Sequence, residues 1–113
     1  MAGPSFPLPI EIDVATLDAW RRDSVPHAVL DVREPWEVAI ASLAGSLTIP
    51  MAEVPERTTA LPRDVPVVVL CHHGGRSLRV TLWLRARGFA NAVNLAGGID
   101  AWAAEVDPSL PTY

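Results

Sequence analysis

The amino-acid sequence predicts an α/β fold: a sandwich of helices around a largely parallel sheet. Three observations carry that prediction. Short β-forming runs, above all Val67-Val68-Val69-Leu70, alternate along the chain with segments that read as helices. Such a run is apolar at every position, as in strands covered on both faces. The 113 residues, half of them hydrophobic, are enough for one domain with its own core.

Residues 1–9 are rich in proline and read as a loose N-terminal segment of this single 1–113 domain. Asp13 is a good N-cap for a helix over Val14 to Arg22, because its carboxylate can accept from the unpaired first-turn amides. Ala28 to Val32 is a strand, and Pro35 suits the first position of a helix through Trp36 to Ala41. Leu47 to Ile49 is a second strand, stopped by Pro50, and a weak helix covers Glu53 to Ala60. The strand into Cys71 follows, then the longest helix, Arg76 to Arg87, ended by Gly88. Ala92 to Leu95 is a strand, Gly97-Gly98 a turn, Ile99 to Glu105 a helix, and residues 106–113 a tail. Trp20, Trp36, Trp83 and Trp102 read as core or half-buried packing residues. Repeats and low-complexity segments are absent.

Composition excludes several functions. The net charge is −4, and the nine cations are all arginine. An acidic chain without a basic stripe makes no electrostatic case for nucleic acid, and without lysine there is no Schiff-base chemistry. The sequence has no apolar run of membrane-spanning length and no secretory leader pattern at its start, so no membrane association and a cytoplasmic location are expected.

Cys71, the single cysteine, stands where the apolar run stops and a Gly-Gly loop begins: Cys71-His72-His73-Gly74-Gly75-Arg76-Ser77. A strand–loop–helix with Cys at the strand end suits a nucleophile. Loop amides and the positive end of the next helix favour an anion there, lowering the thiol pKa. The competing reading is a buried structural cysteine, which accounts for Val67 to Leu70 and leaves the loop unexplained. Gly74 and Gly75 permit the curl that aims amides at one sulfur. Arg76 and Arg79 fall in the first helical turn, where the dipole disfavours cations, while Arg85 and Arg87 sit in the favourable last turn; a rule broken at one end points to a site. His72 and His73 lack a third ligand at a recognisable spacing, so no metal and no cofactor is expected. A lone Cys also means that any sulfur it acquires leaves to an external acceptor.

Three separated segments resemble one family, single-domain rhodaneses. Asp31-Val-Arg33-Glu-Pro-Trp-Glu37 resembles the early Asp-x-Arg-x-x-x-Glu motif, Cys71 to Ser77 the active-site loop, and Leu95-Ala-Gly97-Gly98-Ile-Asp-Ala-Trp102 the closing Leu-x-Gly-Gly-x-x-x-Trp signature. Family members commonly continue from the early motif into Gly-His-Ile-x-Gly-Ala; here Ala41-Ser42-Leu43-Ala44-Gly45-Ser46 keeps only Gly45 of the glycines, a loss that bears on local packing. The resemblance implies a three-layer sandwich with a central, mostly parallel five-stranded sheet flanked by helices, and thiosulfate sulfurtransferase activity through a Cys71 persulfide. It takes sulfur from a small anionic donor and passes it to a small thiophile such as cyanide, or to a thiol or protein acceptor. It implies that the amides of His72 to Ser77 hold the sulfur anion, that Arg76, Arg79 and the histidines draw in the donor, and that Asp31, Arg33 and Gly97 support the loop. Asp31, Arg33 and Glu37 then form an internal charge network.

Three alternatives compete. Phosphatases and arsenate reductases of related loop logic place five residues between Cys and Arg, where this chain has four, His72 to Gly75. A non-catalytic binding module would not need the cysteine. A persulfide carrier delivering sulfur to a protein shares every residue with the enzyme and differs in the acceptor.

Overall fold

In a computed structural model, which describes residues 6–113, the chain forms a five-stranded sheet in the order β1-β5-β4-β2-β3, every neighbouring pair parallel. The strands are β1 (Glu11–Ile12), β2 (Ala28–Asp31), β3 (Leu47–Thr48), β4 (Val67–Leu70) and β5 (Ala92–Leu95). The helices are α1 (Val14–Arg22), α2 (Pro35–Ile40), α3 (Gly75–Ala86) and α4 (Gly98–Glu105).

The strand period of two sorts the core into two layers. Val68 and Leu70 of β4 join Val14, Leu17, Ile99 and Trp102 from α1 and α4 on one face. Val67, Val69 and Cys71 join Val80 and Leu84 of α3 on the other. The central strands β4 and β5 are buried at every residue, and β4 accordingly reads as an unbroken apolar run.

Local chemistry fixes the helix starts. The Asp13 carboxylate accepts from the Thr16 amide at 2.9 Å and opens α1. At α2, Pro35 occupies the first turn, and Glu34 and Glu37 cap each other reciprocally. Gly88, at φ +91°, follows the end of α3.

The structure corrects three expectations. Residues 51–60 form two 3₁₀ segments, Met51–Glu56 and Thr58–Ala60, in place of an α-helix; Pro55 inside the first prevents an α-helical ladder. Of the loose 1–9 segment, residues 1–5 lie outside the described residues. Residues 6–9 are tied down: Leu8 is buried, its amide donates to the Ala90 carbonyl, and Arg85 donates to the carbonyls of Leu8 and Pro9. The 106–113 tail packs back on the core through Val106, Leu110 and Tyr113. Trp36 is 62% exposed, against its expected packing role, while Trp102 is buried and Trp20 and Trp83 are half-buried. Among the described residues no helix is long and apolar enough to cross a membrane.

Candidate active site

Cys71 follows β4 at the C-terminal edge of the sheet, where parallel α/β folds build their sites. Its side chain is 1% exposed, and its sulfur accepts hydrogen bonds from the Gly74 amide at 3.0 Å and the Ser77 hydroxyl at 3.2 Å. Burial alone would push this thiol up. The Ser77 hydroxyl and the amides of Ser77, Gly74 and His73 outweigh it, and the thiol lies below its ordinary value.

The loop is held from below by backbone. The first amides of α4 reach it: Ile99 donates to the Cys71 carbonyl at 2.9 Å and Asp100 to the His72 carbonyl at 3.1 Å. That approach demands glycine at 98, where a Cβ would lie 2.5 Å from the carbonyl oxygens of both Cys71 and His72. Gly74 has φ +108° and packs against the Gly97 amide and the Leu95 carbonyl, so the curl that aims its N–H at sulfur is open to glycine alone. The Asn94 side-chain amide, fully buried on β5, donates to the Gly74 carbonyl at 3.2 Å and to Glu11 of β1 at 2.7 Å.

Beside the loop lies a charged network in two parts. Asp31 and Arg33 form a fully buried pair at 2.7 Å, and Arg33 also donates to the carbonyls of Ala41 and Glu37. Because Arg33 uses the Ala41 backbone, the replacement of the family's Gly-His pair by Ala41-Ser42 leaves this contact intact. The second part joins Arg76 to Glu37, one guanidinium nitrogen on each carboxylate oxygen, both at 2.7 Å. The Arg76 hydrogen bonds pull the Glu37 carboxyl down to about 2, and Glu37 in turn raises Arg76 further. Tyr113 links the two parts: its hydroxyl accepts from Arg33 at 3.0 Å and donates to Glu37 at 2.9 Å.

Of the residues singled out in the sequence, Gly74 and Ser77 donate to the Cys71 sulfur, the His73 and Ser77 amides also favour its anion, Gly97 backs Gly74, and Asp31 and Arg33 belong to the neighbouring charged network. Arg79 does not join them; it lines a separate shallow apolar groove with Met51, Val54, Pro55, Val80 and Trp83. Arg76, expected to help draw in an anionic donor, is paired with Glu37. His72 and His73 do gain a third neighbour, Asp100, with ligand-type atoms within 4.8 Å of one another. Their rings stack at 3.9 Å and 20°, however, so the in-plane lone pairs run side by side and do not converge on one point.

Sequence reasoning missed Asn94, Gly98 and Tyr113 as site residues. A polar residue inside Ala92-Val93-Asn94-Leu95 was a visible signal, since a buried amide needs partners. Tyr113 left none.

A family profile described as a rhodanese-like domain matches residues 13–105. The chain is 44% identical over 110 residues to the chloroplastic rhodanese-like/PpiC domain-containing protein 12 of Arabidopsis thaliana, covering 91% of this chain and 37% of that one. It is 40% identical to the adenylyltransferase and sulfurtransferase MOCS3-2 of Zea mays, over 80% of this chain and 20% of the relative. A sulfurtransferase of Allochromatium vinosum is 36% identical over 82% of this chain and 87% of its own. The chain thus spans about a third or less of the two plant relatives and most of the bacterial one. Among solved structures, a rhodanese-related protein from Thermoplasma volcanium superposes with a TM-score of 0.79 at 37% identity, covering 87% of this chain and 94% of that one.

Proposed function

This chain belongs to the rhodanese-like domain family, and from that premise we propose that it transfers sulfane sulfur through Cys71. The Cys71 thiolate attacks the outer sulfur of a donor such as thiosulfate. The sulfur–sulfur bond breaks, sulfite leaves with the electron pair, and Cys71 carries a persulfide anion. An external nucleophile, cyanide or a thiolate, then takes the terminal sulfur and returns the thiolate. No net redox equivalent is needed, which suits a chain with one cysteine.

The observation that carries the proposal is the convergence of the Gly74 amide and the Ser77 hydroxyl on the Cys71 sulfur. Aimed donors in a site closed to water favour a sulfur anion over a neutral thiol. The four-residue span from Cys71 to Arg76 makes a cradle for one sulfur anion, smaller than the ring of amides a phosphoryl group needs. With Arg76 bound to Glu37, attraction of an anionic donor rests on its residual field and on His73, 67% exposed.

Incubation with thiosulfate followed by mass spectrometry of the intact chain tests the proposal. A gain of one sulfur atom, lost on adding cyanide and absent in Cys71→Ser, is the expected result. Thiocyanate formation by Cys71→Ser would refute it. A second reading keeps the persulfide and makes the acceptor a protein. It is favoured by relatives whose names join adenylyltransferase to sulfurtransferase, because in them the sulfurtransferase works beside a second activity. A persulfide that forms readily and discharges slowly to cyanide would select this carrier role.

A further inference from the structure

Tyr113 lies 42 residues after Cys71 in sequence, yet it touches one end of the Cys71 loop directly and reaches the other through Glu37. Its ring stacks on the His72 imidazole, centroids 3.9 Å apart and planes within 10°, and His72 stacks in turn on His73. His72 is therefore the middle of a three-ring stack. Its neighbour His73 supplies one of the amides that favour the thiolate. At the other end of the loop, the Tyr113 hydroxyl binds the same Glu37 carboxylate oxygen, Oε1, that Arg76 binds through a 2.7 Å contact. A fourth ring, exposed Trp36, meets Tyr113 edge-on at 5.8 Å and limits its swing.

We propose that Tyr113 is a positioning residue for Cys71: it clamps the loop at His72 through its ring and at Arg76, by way of Glu37, through its hydroxyl. The physical reason is entropic. A loop of small and flexible residues holds its amides on one sulfur only if its two ends are fixed, and two contacts from one side chain fix both. The charged and titratable groups that face the loop or Tyr113 are His72 and His73 of the loop, Arg76 of α3, Glu37 of α2, Asp100 of α4, and Arg33 with its partner Asp31. Tyr113 contacts His72, Glu37 and Arg33 directly and holds Arg76 through Glu37. The consequence for catalysis rests on the sulfur-transfer reading; the consequence for the thiol does not.

The test is alkylation of the full chain by iodoacetamide as a function of pH, since Cys71 is the sole cysteine and labelling reports on it alone. In Tyr113→Ala the pH midpoint of alkylation should rise and the rate at pH 7 should fall about threefold or more, as amide contacts to the thiolate loosen. Tyr113→Phe keeps the stack and loses the hydroxyl, and its midpoint should move the same way by less. A mere cover over the thiol would behave differently: removing it would raise the plateau rate and leave the midpoint in place, and that result overturns the proposal. So does an unchanged midpoint in folded Tyr113→Ala. Should that variant fail to fold, Tyr113→Phe decides alone, and a wild-type midpoint there overturns it. If wild type acquires no sulfur from thiosulfate, the sulfur-transfer reading fails while the alkylation result still judges Tyr113.

Discussion

Arg76 gives one hydrogen bond to each carboxylate oxygen of Glu37, both 2.7 Å long, and so joins the start of α3 to α2 across 39 residues of sequence. This pairing resolves the apparent conflict of a cation at a helix N-terminus. The dipole cost is offset by a carboxylate that is only 4% exposed and needs a partner.

Arg76 therefore bears on the stability of the fold. Arg76→Ala leaves the Glu37 carboxylate nearly buried with Tyr113 as its remaining side-chain partner, and should cost about 2–4 kcal/mol, read by urea denaturation. Arg76→Lys keeps the charge but loses the two-pronged contact and should fall between. A wild-type unfolding midpoint for Arg76→Ala would show the pair to be dispensable.

Glu37 should make stability depend on acid. Its carboxyl, drawn from 4.5 to about 2 first of all by the Arg76 hydrogen bonds, is depressed in the folded state. The stabilisation is thus complete above pH 4.5 and is lost as pH falls from there toward 2. We expect about 1–2 kcal/mol across that window, less than the full shift implies because Arg76 is one-third exposed. Comparing wild type with Glu37→Gln by denaturant titration at pH 6 and pH 3 isolates the effect. The difference between the two proteins should shrink as pH falls.

Ser77 is fully buried, and its hydroxyl lies 3.2 Å from the Cys71 sulfur. Removing this donor in Ser77→Ala should raise the thiol pKa and slow alkylation at pH 7 by about three- to tenfold. Far-UV circular dichroism should stay unchanged, since the Ser77 hydroxyl takes no part in the helical ladder. Equal alkylation rates in the two proteins would mean that the amides alone hold the thiolate.

Gly98→Ala tests the seat of the loop. The added Cβ meets two carbonyl oxygens at 2.5 Å and sits at φ +60°, so the loop or α4 has to move. Overpacking and a left-handed backbone together should cost about 2 kcal/mol or more and lower thiol reactivity with it. Gly45→Ala is the control: φ is +82° there, but a Cβ meets nothing within 4 Å, so strain comes without a clash and Cys71 should react as in wild type.

Much of the architecture was legible because it is written in local chemistry. The bounds of α1 and of β5 follow from the Asp13 cap and from a short, mostly apolar segment between turns, and both are observed where the sequence puts them. Edge strand β1 escaped because two residues, Glu11 and Ile12, carry no period; only pairing with Asn94 and Leu95 makes them a strand. The helix expected over Glu53 to Ala60 is replaced by 3₁₀ turns because Pro55 has no amide to give to an α-helical ladder.

Local sequence set where the one thiol and its loop lie. One thiol at a strand end, two glycines and a helix start are neighbours along the chain, and backbone geometry does the rest. Tertiary structure alone decided which groups stabilise that loop. Glu37, Asn94, Gly98 and Tyr113 are far from Cys71 in sequence or carry no local signal, and the parallel sheet brings their elements to one edge. It also decided the use of Arg76. A charge near a helix N-terminus reads the same whether it awaits a substrate or is already paired, and only the fold supplies the carboxylate 39 residues away.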